Sequence, residues 1–296
     1  MSSRAVRGLE HMEPTIVHAN GAELCVQTFG APTDPAVLLV MGAGASMDWW
    51  EDDFCARLAA GPRFVIRYDH RDTGQSASYA PGAPGYTGDD LIADVIGVLD
   101  ALDVGSAHVV GLSMGGALAQ VLALEHPERV ASLTLIATSP AGPGEPDLPD
   151  MTAEARAAFG QLTEPDWSDR AAVIDYATEL SRACAGRSRP FDERGTRALW
   201  ERVLDRTANI ESSMKNHYAT EGGAGRWRER LGALDVPALV VHGTEDPVYP
   251  YDHAEVLATG IPKATLVRWE GVGHEQPPQL VPELTRLVIQ HIDAAS

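Results

Sequence analysis

Apolar and polar positions recur along this chain with two different periods, and each change of period marks an element. Unbroken apolar runs stand at Val37 to Met41, Phe64 to Tyr68, His108 to Leu112, Leu133 to Ala137, Ala238 to Val241 and Ala264 to Trp269. Runs of that kind suit strands buried on both faces, as in a parallel sheet. Between them the apolar residues take helical spacing. Thr87 to Leu102 opens on an N-cap residue with an acid at Asp90, and Leu91, Val95, Val98, Leu99 and Leu102 form one stripe. Gly115 to Glu125 and Leu280 to Ala294 read as two further helices. Pro14 to Gly30 reads as two strands turning at Asn20-Gly21, a pair that accepts positive φ. Strand alternating with helix predicts an α/β fold, a mostly parallel central sheet flanked by helices.

The rhythm breaks in the middle. Pro140 to Asp150 is rich in Pro, Gly and acid and reads as a linker. From Met151 to about Gly232 the pattern gives helices without strands. Val173, Tyr176, Ala177 and Leu180 share one face, as do Leu199, Val203 and Leu204. Strand character returns at Pro237. The expected organisation is a core in two parts, 12–140 and 233–296, with an all-helical cap inserted over 141–232. Leu9-Glu10-His11-Met12 reads as translated cloning sites, so residues 1–11 are set aside as a vector-derived segment.

With 44 % hydrophobic residues in 296, the chain can bury a large core and is not a disordered one. A net charge of −19 repels phosphate backbones and anionic bilayers, so neither nucleic acid nor a membrane is an expected partner. Cys25, Cys55 and Cys184 are scattered and form no C-x-x-C pair. That argues against a disulfide framework and for a reducing compartment. With no secretory apolar segment in view, the cytoplasm is the expected location. His18, His70, His108, His126, His217, His242, His253 and His291 show no H-x-x-x-H or H-x-H spacing, so no metal is expected.

The chemistry lies in three separated segments: Gly111-Leu112-Ser113-Met114-Gly115, Gly243-Thr244-Glu245-Asp246-Pro247 and Gly271-Val272-Gly273-His274. The first is a G-x-S-x-G turn between an apolar run and a helix. Alone it is a common turn; with an acid and then a histidine downstream, it has the order of a hydrolase triad. A serine hydroxyl needs a base within reach, and that base needs an orienting acid. Ser113, His274 and Asp246 are the candidates, with Glu245 as the rival acid. Gly111 and Gly115 suit a turn too tight for a Cβ. The backbone N–H groups of Met114 and of Ala43, in Met41-Gly42-Ala43-Gly44, are candidate oxyanion donors. Gly42-Ala43-Gly44 also opens a dinucleotide fingerprint, but Met47 stands where its third glycine belongs, so no cofactor is expected. Gly42, Trp49 and Trp200 are candidates to line a substrate pocket, with Trp167, Tyr176 and Tyr218 beside them; each aromatic fits an ordinary core equally well. Asp69 to Ser76 reads as a structural turn whose carboxylates and serine cap backbone groups.

These segments resemble the α/β-hydrolase superfamily from Pro14 to the C-terminus. More narrowly, Val37 to Gly42, Ile66 to Ser76 and His108 to Gly115 are similar to aclacinomycin methylesterase and related polyketide methylesterases. The resemblance implies Ser113, Asp246 and His274 as triad, Ala43 and Met114 as oxyanion donors, and a cap that shapes the pocket. It implies removal of a methyl ester from an anthracycline polyketide in antibiotic tailoring. Met41 stands where many α/β-hydrolases carry His, a departure the narrower group shares. The motifs also fit a general small-ester carboxylesterase, a cofactor-free perhydrolase, a C–C hydrolase, or a hydrolase-fold ligand receptor. A serine nucleophile argues against dehalogenases and epoxide hydrolases, which use Asp. The expected partner is a small-molecule ester.

Overall fold

The computed structural model describes residues 12–140, 145–222 and 226–295; residues 1–11, the expected vector-derived segment, and 141–144 of the expected linker lie outside them. The chain opens with a hairpin, Thr15–Ala19 (β1) and Ala22–Phe29 (β2). Asn20 (φ 46°) and Gly21 (φ 73°) make its turn, the two positive φ values of a type I′ connection. Then follow Ala36–Val40 (β3), Asp52–Ala59 (α1), Phe64–Tyr68 (β4), Gly88–Ala101 (α2), Ala107–Leu112 (β5), Met114–Glu125 (α3) and Val130–Ile136 (β6). Four helices come next: Ala153–Gln161 (α4), Arg170–Cys184 (α5), Glu193–Arg206 (α6) and Ile210–Ala219 (α7). Ala238–Gly243 (β7), Asp252–Gly260 (α8), Ala264–Trp269 (β8) and Val281–Ala295 (α9) complete the chain.

The strands form one sheet in the order β1-β2-β4-β3-β5-β6-β7-β8. β2 runs antiparallel to both of its neighbours, β1 and β4; from β4 to β8 every pairing is parallel. The chain leaves β3 for β4 on one side and returns to β5 on the other. Winding therefore reverses at β3, and a crevice opens beyond the carboxyl ends of β3 and β5, where ligands bind in such sheets.

Each apolar run divides between two faces because side chains alternate along a strand. Leu38, Val40, Ile66, Val109 and Leu133 meet α2, α3 and α8 through Leu91, Val95, Leu122 and Leu257. Val37, Leu39, Val65, Val110 and Val241 meet α1 and α9 through Phe54, Leu58, Leu284 and Val288. Thr87 caps α2 in a full capping box with Asp90. Two expectations are corrected. β8 is not buried on both faces: it is the sheet edge, where only Trp269 is buried. On α5 the buried stripe is Val173, Ile174, Ala177 and Thr178, one step round from the expected face. The helix turns that face inward, and Tyr176 stands half-buried against Trp167 at 5.7 Å. Among the described residues, no helix is long and apolar enough to cross a membrane.

Candidate active site

The nucleophile candidate sits where β5 runs directly into α3. Ser113 takes φ 54° and ψ −118°, a backbone that costs a non-glycine residue about 1–3 kcal/mol. The neighbouring glycines permit the turn. A Cβ on Gly111 would lie 2.3 Å from the Gly115 carbonyl oxygen, and one on Gly115 would lie 2.1 Å from that of Val40. The Ser113 N–H is held by the Ile136 carbonyl at 3.0 Å, and its own carbonyl accepts from Thr138 Oγ1 at 2.7 Å. These bonds keep the strained turn in place and leave Oγ at the positive end of α3.

Two loops from the carboxyl edge of the sheet converge on that hydroxyl. His274, after β8, places Nε2 2.9 Å from Ser113 Oγ and Nδ1 2.8 Å from Asp246 Oδ2. Asp246, after β7, is fully buried, and its Oδ1 accepts from the N–H groups of Val248 and Tyr249. Burial alone would raise this carboxyl; the facing His274 and His242, with the Tyr249 N–H, outweigh burial and hold it below its ordinary value. An acceptor-only carboxylate on Nδ1 fixes the tautomer, so Nε2 is free to accept the serine proton. Glu245, the rival acid, points elsewhere: it accepts from the backbone N–H groups of Arg187 and Ser188 and from the Ser188 hydroxyl.

The loop after β3 closes the third side. Gly42 lies against the candidate nucleophile: a Cβ there would come 3.2 Å from Ser113 Cβ. Among the described residues, neither the Ala43 nor the Met114 N–H is engaged in a backbone hydrogen bond. The turn after β4 braces this loop from behind. Asp69 Oδ1 accepts from Met47 N–H at 2.8 Å, Oδ2 accepts from Gln75 N–H, and His70 Nε2 donates to the Met41 carbonyl at 3.0 Å. Ser76 Oγ donates to the Asp69 carbonyl and accepts from Cys25 N–H.

The pocket candidates differ in burial. Trp200 is 5 % exposed, donates to Ser181 Oγ and packs edge-on against half-buried Trp49 at 5.5 Å, inside the small cluster of the helical segment. Tyr218 is the reverse, 75 % exposed, with its ring 3.9 Å from where a Gly44 Cβ would stand. Several contacts have no signal in the sequence. The His274 N–H is held by the Cys184 carbonyl at 2.7 Å, and Gly186 N–H donates to Glu275. His242 lies 3.4 Å from Asp246, and Arg206 of α6 pairs with buried Asp69 at 2.6 Å. His217 of α7 accepts from Gly44 N–H at 2.9 Å. All but the His242–Asp246 contact join residues remote in the chain; His242, four positions before Asp246, was within reach of a spacing argument. Among the described residues, no cluster of three or more His, Cys, Asp or Glu is arranged to hold a metal.

Known proteins share this arrangement of elements. The chain is 31 % identical over 299 residues to rhodomycin D methylesterase DauP of Streptomyces sp. (strain C5), covering 96 % of this chain and 100 % of that one. It is 32 % identical over 281 residues to rhodomycin D methylesterase DnrP of Streptomyces peucetius, covering 90 % and 94 %. Among solved structures, an esterase from Exiguobacterium antarcticum superposes with a TM-score of 0.76 at 20 % identity, over 95 % of this chain and all of that one. That likeness concerns the fold. The family described as alpha/beta hydrolase fold matches residues 35–277, and the chain belongs to it as one of its enzymes.

Proposed function

We propose that the protein is a serine carboxylic ester hydrolase, and that its substrate is the methyl ester of an anthracycline-like polyketide. The observation that carries the reading is the hydrogen-bonded line Ser113–His274–Asp246, with 2.9 and 2.8 Å links, beside a glycine-lined loop. The two rhodomycin D methylesterases among its relatives support the substrate class.

In this mechanism Ser113 Oγ attacks the ester carbonyl while His274 Nε2 takes its proton. The oxyanion is held by the N–H groups of Ala43 and Met114, each contributing on the order of 3 kcal/mol. Asp246 stays ionised, fixes the Nδ1–H tautomer and stabilises the imidazolium. The tetrahedral adduct collapses, His274 returns the proton to the departing methoxide, and methanol leaves. Water, activated by the same imidazole, then releases the carboxylic acid from the acyl-enzyme. The helices of 141–232 act as a cap over the crevice and decide which acyl group fits. The free thiols of Cys25, Cys55 and Cys184 suit a reducing cytoplasm.

The test is mass spectrometry of the products from a methyl-esterified anthracycline, run beside a short-chain aryl ester and a Ser113→Ala control. Free acid from the anthracycline, absent in the control, supports the whole reading. Turnover of the aryl ester alone keeps the serine mechanism and removes the polyketide substrate. Intact product formation by Ser113→Ala removes both.

A further inference from the structure

We propose that His217, on cap helix α7, is a positioning residue for the oxyanion loop; this rests on the serine-hydrolase reading above. Both backbone hydrogen-bonding groups of Gly44 are taken by that one helix. His217 Nδ1 accepts from Gly44 N–H at 2.9 Å, and Ser213 Oγ donates to the Gly44 carbonyl at 3.1 Å. Gly44 is the third residue of a turn closed by Ala45 N–H on the Gly42 carbonyl, and its φ of +70° is the type II signature. The two bonds therefore anchor the turn to the helix at its third residue. The Ala43 N–H belongs to the preceding peptide of the same turn, so where the turn is anchored sets where that donor stands.

The imidazole is built for this contact. Its Nε2 lies 2.9 Å from the Arg71 carbonyl, which can only accept, so Nε2 carries the proton and Nδ1 presents a lone pair to Gly44. The ring is 6 % exposed and meets His70 edge-on at 5.7 Å, so it has no room to swing. His70 itself holds the Met41 carbonyl at the other end of the loop. Two neutral rings thus brace Met41 to Gly44, one from the core and one from the cap.

A residue that merely seats the cap would give a different kinetic signature. Ser212 is the control: it lies on the same helix, equally buried, and donates to the Tyr79 carbonyl without touching the loop. The measurement is steady-state kinetics on whichever ester the wild type turns over, with inhibition by a boronic acid and by the product carboxylic acid. In His217→Leu, kcat is expected to fall about 10- to 100-fold with KM within about threefold. Boronic acid affinity falls in step, and product affinity does not. His217→Asn, whose Oδ1 stands where Nδ1 stood, recovers most of kcat, and Ser212→Ala matches the wild type. Unchanged kcat in His217→Leu, an equal fall in Ser212→Ala, or a loss carried by KM overturns the proposal. Should the leucine variant not fold, His217→Asn and His217→Gln decide: glutamine leaves the Gly44 N–H unmet, and equal kcat in the two overturns it. Retained turnover in Ser113→Ala sinks the underlying reading; its loss beside an unaffected His217→Leu sinks this inference alone.

Discussion

The sheet with its flanking helices and the helical segment between β6 and β7 are held by different forces. The sheet buries two continuous apolar layers, where Leu38, Leu39, Val65, Ile66, Leu133 and Val240 are fully excluded from water. The helical segment has one small cluster of its own, Ala177, Leu199, Trp200 and Val203. It meets the core largely through polar bonds: Arg206 to Asp69 and Asp48, Asn216 to Asp72, Ser212 to Tyr79, and His217 and Ser213 to Gly44. Apolar burial is non-directional and tolerates small shifts, whereas a buried polar contact has one geometry and fixes the group it meets. The layers supply stability, and the polar seat supplies position.

The sharpest separation of chemistry from framework is Ser113→Ala. It should lower kcat by about 10⁴-fold or more while leaving the urea midpoint nearly unchanged, since Oγ packs against nothing the fold needs. A large shift in midpoint would show that the elbow also carries stability. The next contrast sets Leu133→Ala against Arg206→Met. Each is expected to cost about 3 kcal/mol in equilibrium unfolding, the first by a cavity and the second by stranding the buried Asp69. Adding Asp69→Asn should recover part of the loss in Arg206→Met. Strict additivity of the two changes would mean the seat is not electrostatic.

Acid should lower the stability of the fold as well. Burial, with the His217 ring beside it, pushes His70 down from 6.5 to about 3. The unfolded chain therefore takes up a proton below its ordinary 6.5 that the native ring refuses until about 3, so stability falls as pH drops through that window. The slope is up to roughly 1.4 kcal/mol per pH unit for this histidine. Urea midpoints at pH 7 and pH 5 measure it, and His70→Asn should flatten the difference; an identical slope in that variant would assign the effect to other groups. The smallest expected change is Thr87→Ala, which removes the α2 capping box for about 1 kcal/mol and leaves kcat/KM untouched. A change in kcat/KM would tie the far end of α2 to the crevice.

The same division governs what could be read in the residues. Strands such as Phe64–Tyr68 and Ala264–Trp269, the Thr87 cap and the Asn20-Gly21 turn were legible because each depends on neighbours in the chain. The line Ser113–His274–Asp246 was legible because motif and order constrain it. The edge position of β8 was not, since an apolar run does not say whether a further strand will cover it. Neither were Arg206–Asp69 or His217–Gly44, which join residues more than a hundred positions apart. A single Arg or His carries no periodicity, and its partner is chosen by how two layers meet.

The Cys184 carbonyl on the His274 N–H has a consequence for engineering. A Cβ on Gly273 would stand 2.3 Å from that same oxygen, Gly186 N–H reaches Glu275, and Ser188 reaches Glu245. The strip from Cys184 to Ser188 is thus a splice through which the helices and the histidine loop share one backbone lattice. A chimera that imports foreign helices to change substrate must join its parent outside this strip. A crossover placed inside it would shift His274 together with the imported helices, and the two effects would be inseparable in the hybrid.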